Sequence, residues 1–175
     1  MSVPQLTAND IPNIIGHPCI VIGPPRDGGQ KRVFHCRING RDYALKFIKL
    51  EGGVDSSNDI WVRAEREVNA LRLCNSPNLI RIGPFDLSLV NYNSEQILWY
   101  AEDWIDGENL IEMRHANNGI LTSETVIKMS IDISNAIEEL WNHHKVHRDI
   151  KPGNIMRCNK TNRFLLLDLG IVFDS

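Results

Sequence analysis

The chain has 175 residues, 42% of them hydrophobic and 23% charged, with a formal net charge of -3, a balance near the soluble globular average that excludes a disordered or fibrous chain. Its 19 Lys and Arg residues are scattered among 22 acidic ones, so there is no basic block to neutralise a run of phosphates and nucleic acid is not an expected partner. No stretch approaches the roughly 18 apolar residues that span a bilayer and no basic n-region opens the chain, so no membrane is expected either. The four cysteines, Cys19, Cys36, Cys74 and Cys158, lie far apart without a CxxC pair. They read as reduced core or surface thiols of a cytoplasmic protein, neither a disulfide framework nor a zinc site.

In chain order, Cys19–Gly23 reads as a short strand and PPRDGGQ as a loop. Lys31–Ile38 has strand character, Asn39-Gly40 is a two-residue hairpin signal, and Tyr43–Ile48 forms the return strand. After the loop EGGVDSSN a helix is predicted over 58–74, capped by Ser57 or Asn58. Its Ile60, Ala64, Glu67, Ala70 and Leu71 share one face, which sets Glu67 among apolar neighbours, where a carboxylate requires a cation.

Two β-rich stretches follow, Leu79–Val90 and Gln96–Trp104, joined by the turn-prone NYNS, so the first hundred residues suggest a small antiparallel sheet with one helix. Asp106-Gly107 reads as a linker. A short helix is predicted over ENLIEMRHA and a long one over Ser123–His143, with Val126, Met129, Ile133, Ile137 and Leu140 on one face. The fold class is therefore α+β, with a helical second part.

The segment HKVHRDIKPGNIM gathers Asp149, Lys151 and Asn154 in one loop directly after the long helix. Beyond it, Leu166-Leu167-Asp168-Leu169-Gly170 is an apolar strand ending in an acid before a glycine, and upstream Ala44-Leu45-Lys46 precedes Glu67 on its helix. In this order the four elements resemble the H-R-D-L-x-x-x-N loop, the D-F-G motif with Leu for Phe, the V-A-I-K lysine and the helix glutamate of the eukaryotic-type (Hanks-type) Ser/Thr protein kinase family. The glycine-rich loop departs from the pattern: Gly28 stands near the second glycine, with Arg26 and Lys31 where its flanking glycines fall.

That resemblance implies a bilobal fold: an N-lobe and hinge over 1–105, with a five-stranded antiparallel sheet and the 58–74 helix, then an incomplete helical C-lobe over 106–175 carrying the catalytic loop 147–154 and the DLG motif 168–170. It implies ATP and Mg²⁺ as cofactors and a protein as substrate. Lys46 would hold the α/β-phosphates while paired with Glu67, Asn154 and Asp168 would bind the metal, Asp149 would accept the hydroxyl proton and Lys151 would neutralise the γ-phosphate. Gly28, Val33, Ala44, Glu102 as gatekeeper, and Asp103 and Ile105 of the hinge would contact nucleotide.

Lys151 favours protein over small-molecule acceptors. By the same resemblance His147 would brace the loop and Arg148 would grip a phosphorylated activation segment, while His143 and His144 read as structural or solvated. Because the sequence stops five residues after Gly170, three expectations stand side by side: a fragment, a subunit completed by a partner chain over the incomplete C-lobe, or a minimal kinase. The alternative function is a pseudokinase-like interaction module that binds a partner, with or without nucleotide, and has no efficient turnover.

Overall fold

The structure is a computed structural model that describes residues 3–51, 59–116 and 118–169, with the backbone of 173–174. The expected caps Ser57 and Asn58, all but Glu51 of the EGGVDSSN loop, and Gly170 of the DLG motif lie outside the described residues. The chain forms two compact units, the first drawn from residues up to Glu65 and Ile82–Trp104, the second from Arg66–Arg81 and from Ile105 onward. No helix among the described residues is long and apolar enough to cross a membrane.

The first unit begins with a helix, α1 (Ile11–Ile15), which no periodicity announces because five residues are too few to show one. Asp10 fastens it, its carboxylate accepting from Thr7 N and Oγ1, each at 2.7 Å, and from Tyr92 Oη at 2.6 Å. Gly16, at φ 68°, ends it in the left-handed conformation and returns its N–H to Pro12 O. Then come β1 (Ile20–Val21), β2 (Arg26–Gly28), β3 (Lys31–Ile38), β4 (Arg41–Leu50), the start of α2 (Asp59–Leu73), β5 (Ser88–Tyr92) and β6 (Glu95–Asp103).

The antiparallel sheet runs β1-β3-β4-β6-β5, with β2 also on β3. Since β1 meets Arg37 and Cys36 while β2 meets Val33 to Lys31 along the same edge, the two are one interrupted first strand, and the five strands expected are delivered as six segments. The expected PPRDGGQ loop is thus partly strand: Asp27 faces Arg32 in register and takes a two-pronged grip from it, at 2.7 and 2.8 Å, which holds the pairing despite the glycines. Asn39 (φ 51°) and Gly40 (φ 79°) make the hairpin between β3 and β4.

Alternation sends Phe34, Cys36 and Ile38 of β3, Tyr43, Leu45 and Phe47 of β4, and Ile97, Trp99 and Ala101 of β6 to one sheet face. Leu6, Ile11, Ile14 and Ile15 of the N-terminal segment close over that face. Each such buried aliphatic side chain contributes about 1.5–3 kcal/mol, so the segment belongs to the core of the unit. The other face carries the even members of β4, among them Lys46.

The second unit contains the end of α2, β7 (Gly107–Asn109), α3 (Leu110–Ala116), α4 (Ser123–Asn142), β8 (Lys145–Val146), a 3-10 turn Pro152–Asn154, β9 (Ile155–Cys158), β10 (Phe164–Leu166) and β11 (Phe173–Asp174). Two small antiparallel sheets, β10-β9-β7 and β11-β8, accompany the helices. Asp106-Gly107 is therefore no mere linker: Gly107 opens β7 opposite Cys158, and Asp106 O accepts from Asn159 N at 2.9 Å.

Thr122 caps α4, accepting from Thr125 N at 3.2 Å. The buried stripe is Asp132, Ile133, Ala136 and Leu140, whereas Val126 and Ile137 of the expected face are exposed beside Ile127, Ile131 and Trp141. The stripe is rotated because Asp132 goes inward, where its Oδ2 accepts from Phe164 N at 2.9 Å and from Lys128 Nζ at 3.1 Å. A buried acid with these partners fastens β10 to α4.

A Cβ on Gly107 would stand 2.0 Å from Arg157 O, whereas one on Gly28 would meet nothing within 4 Å. Gly107→Ala is expected to destabilise the chain by about 1–3 kcal/mol or more, through a forced shift of β7 from β9. Gly28→Ala should stay within about 0.5 kcal/mol. Urea denaturation of the two variants measures the difference.

Candidate active site

In the first unit the register sorts the expected nucleotide contacts. Arg26, Val33, Lys46 and Tyr100 stand side by side across β2, β3, β4 and β6, flanked by the rows Gly28-Lys31-Ile48-Leu98 and His35-Ala44-Glu102. Gly28, Val33, Ala44, Lys46 and Glu102 accordingly share the sheet face opposite the apolar core. Lys46 and Glu102 are diagonal neighbours there, and Lys46 Nζ donates to Glu102 Oε1 at 2.5 Å with both side chains buried. The ammonium also lies 5.5 Å from the centre of the Tyr100 ring.

A charge in that interior is tolerable only when paired, so the expected gatekeeper is also a partner of the expected phosphate-binding lysine. Asp103 Oδ1 accepts from Arg41 Nη2 at 2.8 Å. Trp104 stacks flat on His35, with ring centres 3.8 Å apart, and Arg26 lies 5.5 Å above the Trp104 ring. Ile105 is the first residue of the second unit after that strand.

In the second unit the loop after β8 is tied by a chain of hydrogen bonds. Asp149 N donates to His147 Nδ1 at 3.1 Å, and His147 Nε2 lies 3.0 Å from Leu167 O. Because Nδ1 accepts, Nε2 carries the proton and donates to the carbonyl just before Asp168. Asn154 Nδ2 donates to Asp149 O at 2.9 Å and to its Oδ2 at 3.0 Å, Leu167 N donates to Asn154 O at 2.8 Å, and Lys151 Nζ donates to Asp149 Oδ2 at 2.6 Å. One network thus holds Asp149, Lys151 and Asn154 and anchors the strand that delivers Asp168.

Two non-glycine residues of this network have left-handed backbones, Arg148 at φ 64° and Asp168 at φ 61°. Such conformations cost about 1–3 kcal/mol each and persist where surrounding bonds over-determine them, commonly at functional sites. Burial lowers the pKa of His147, partly opposed by its bond to Leu167 and by the charges of Asp168, Asp149 and Glu67. Glu67 is fully buried, and its charge reaches the same imidazole. Asp149 raises the pKa of Lys151 through their hydrogen bond.

The donor set suits a hard divalent cation. Asn154 spends its Nδ2 on Asp149, which leaves Oδ1 as its remaining polar atom, and Asp168 brings a partly exposed carboxylate. A cavity of about 520 Å³ adjoins the loop, lined by Ile111, Arg114, His115, Asn118, Gly119, Lys151, Pro152 and Gly153. Its charged lining is basic.

The three clustered histidines separate in space. His147 is the brace just described, while His143 caps α4 and lies 3.4 Å from Glu139. The sequence reading gives these histidines no carboxylate at ligand spacing; the structure corrects it, since Glu139 lies four residues before His143 and Cys74, just after α2, approaches both. Asp132 was likewise missed, since an acid on a helix usually reads as solvated.

A family model described as the protein kinase domain matches residues 26–174. The chain belongs to the protein kinase family. It is 28% identical over 146 residues to a probable serine/threonine-protein kinase of Streptomyces coelicolor, covering 82% of this chain and 21% of that protein. With serine/threonine-protein kinase sid1 of Schizosaccharomyces pombe the identity is 31% over 138 residues, covering 77% of this chain and 26% of that one. With serine/threonine-protein kinase PknB of Mycobacterium leprae it is 25% over 131 residues, covering 75% and 20%. This kinase-family chain therefore spans about a quarter or less of the length of these relatives.

The lowered pKa of His147 fixes the sign of one pH effect. Folding favours the neutral ring, so on acidification the unfolded chain takes up the proton first and stability falls. The contribution is full above the ordinary value of 6.5 and is lost as pH drops from there through the lower folded value. Urea denaturation between about pH 7 and 5 should show a steeper loss in the wild type than in His147→Gln; parallel curves would remove His147 as its source.

Proposed function

We propose that the chain transfers the γ-phosphoryl group of ATP to a Ser or Thr hydroxyl of a protein. The observation that carries this reading is the network joining Asp149, Lys151 and Asn154 to the strand that ends at Asp168. Phosphoryl transfer asks a protein mainly to position groups and balance charge, and a loop whose polar atoms are committed to one another is preorganised for that.

In this reading Asp149 orients the acceptor hydroxyl and takes its proton as the oxygen attacks. Lys151, already 2.6 Å from Asp149, balances charge on the transferring group. Asn154 Oδ1 and the Asp168 carboxylate would hold Mg²⁺, which when bound neutralises the phosphates. In the first unit, Lys46 would hold the α/β-phosphates, and Val33 and Ala44 on the same face would contact the base.

Arg114, with Lys151, makes the acceptor-side cavity basic, which supports a protein segment with an acidic residue near its hydroxyl. A second reading, a binding module with little turnover, is favoured by one observation: the buried Lys46–Glu102 pair engages the ammonium that phosphates would need.

The test is phosphotransfer from labelled ATP with Mg²⁺, to the chain itself and to a generic protein, beside nucleotide binding. Under the first reading Asp149→Ala lowers transfer by roughly 10²-fold or more with nucleotide binding retained, whereas Lys46→Ala weakens both. Nucleotide binding without transfer in the wild type would select the second reading. Transfer unaffected by Asp149→Ala would overturn the role given to Asp149.

Leaving no oxygen acceptor at position 102 while keeping the buried Lys46 should cost about 3–5 kcal/mol. Glu102→Leu is therefore expected to unfold at clearly lower denaturant than Glu102→Gln, whose amide oxygen still accepts from Lys46. Equal midpoints for the two variants would show that the pair is not energetically buried.

A further inference from the structure

Away from the phosphotransfer network, the second unit brings together three side chains of three different ligand types. Cys74 follows α2, with its N–H still donating to Ala70 O at 3.1 Å. Glu139 lies in the last turns of α4 and His143 caps it, four residues on. One ligand atom from each, a thiol sulfur, a carboxylate oxygen and an imidazole nitrogen, lies within 4.8 Å of the other two, and all three residues are half-buried.

From this geometry we propose that Cys74, Glu139 and His143 form a zinc site, with the fourth position left to water. Tetrahedral zinc with nitrogen and oxygen ligands at about 2.0–2.1 Å sets those two atoms roughly 3.3–3.4 Å apart. His143 Nε2 and Glu139 Oε1 already stand 3.4 Å apart. A sulfur at about 2.3 Å from the metal lies roughly 3.6 Å from the other ligands, so Cys74 needs a shift of about an ångström from the outer bound, which a side-chain rotation supplies.

The ligand set selects the metal. A thiolate with an imidazole suits zinc and disfavours magnesium or calcium, which take all-oxygen sites. The carboxylate is also pre-oriented: Glu139 Oε1 accepts from Asn75 N at 2.7 Å, an outer contact of the kind that fixes metal-binding carboxylates. Burial, and after it the Glu139 charge, pushes the Cys74 thiol up to about 11 against the opposing charge of Lys145, so metal binding has to release the thiol proton.

The two elements joined are informative. Cys74 directly follows α2, the helix that carries Glu67, and the end of α4 leads through β8 directly to His147. A bound zinc would clamp the start of the catalytic-loop segment to α2 and would link metal availability to the order of that loop.

The experiment uses the whole chain, stripped with a chelator and titrated with Zn²⁺ against a chromophoric competitor, and separately with Co²⁺. One equivalent of zinc and a sulfur-to-cobalt charge-transfer band are expected in the wild type. Cys74→Ser should abolish the band, and both it and His143→Ala should weaken zinc binding by more than about tenfold.

Alkylation of Cys74 in the wild type, followed by mass spectrometry, keeps the test independent of whether the variants fold: zinc should slow it by more than about tenfold. A missing cobalt band, zinc binding unchanged in Cys74→Ser, or Cys74 alkylation unaffected by zinc would each overturn the site. None of these readouts depends on phosphotransfer.

Discussion

His147 accepts a hydrogen bond from the Asp149 backbone on one ring nitrogen and donates to the Leu167 carbonyl with the other, and the arrangement of the second unit's polar loop rests on that neutral, buried ring. A protonated imidazole would have to surrender the bond from Asp149 N, because Nδ1 would then be a donor facing a donor. With Asn154 bonded to Asp149 and to Leu167 N, three loop residues and the approach to Asp168 have few ways to move independently. The left-handed backbones of Arg148 and Asp168 are strains that such a network can hold in place.

The first unit solves a different problem, that of burying a cation on a sheet. The strand period of two gives one face to Phe34, Leu45, Phe47, Trp99 and Ala101 and the other to Val33, Ala44, Lys46, Tyr100 and Glu102. The N-terminal segment covers the apolar face, and on the opposite face Lys46, Tyr100 and Glu102 are buried as well. Pairing Lys46 with Glu102 places a countercharge for the buried ammonium within the sheet itself.

Much of this was legible in the sequence because it depends on short-range periodicity and local turn chemistry: β3, the Asn39-Gly40 hairpin and the bounds of α4 follow from residues close in sequence. The family resemblance rested on ordered motifs, and it identified the family to which the chain belongs. The parts that were not legible depend on distant partners. The strand at Arg26–Gly28 is held by Arg32, that at Gly107–Asn109 by β9, and the inward turn of Asp132 by the backbone of Phe164.

The same holds for the site. The co-location of Asp149, Lys151 and Asn154 is a property of six consecutive residues, whereas the meeting of Lys46 with Glu102 depends on strand register across 56 positions. Cys74 and His143 read as unrelated residues for the same reason, since only the approach of the segment after α2 to the end of α4 brings them within ligand distance.

The most direct measurement is nitrogen–proton correlation NMR of the His147 ring in the folded chain, followed through a pH titration. A neutral ring protonated on Nε2 at neutral pH, titrating below the ordinary value of 6.5, is the result predicted by the network around Asp149. An imidazolium at neutral pH, or a proton on Nδ1, would contradict it, because neither form can accept from Asp149 while donating to Leu167.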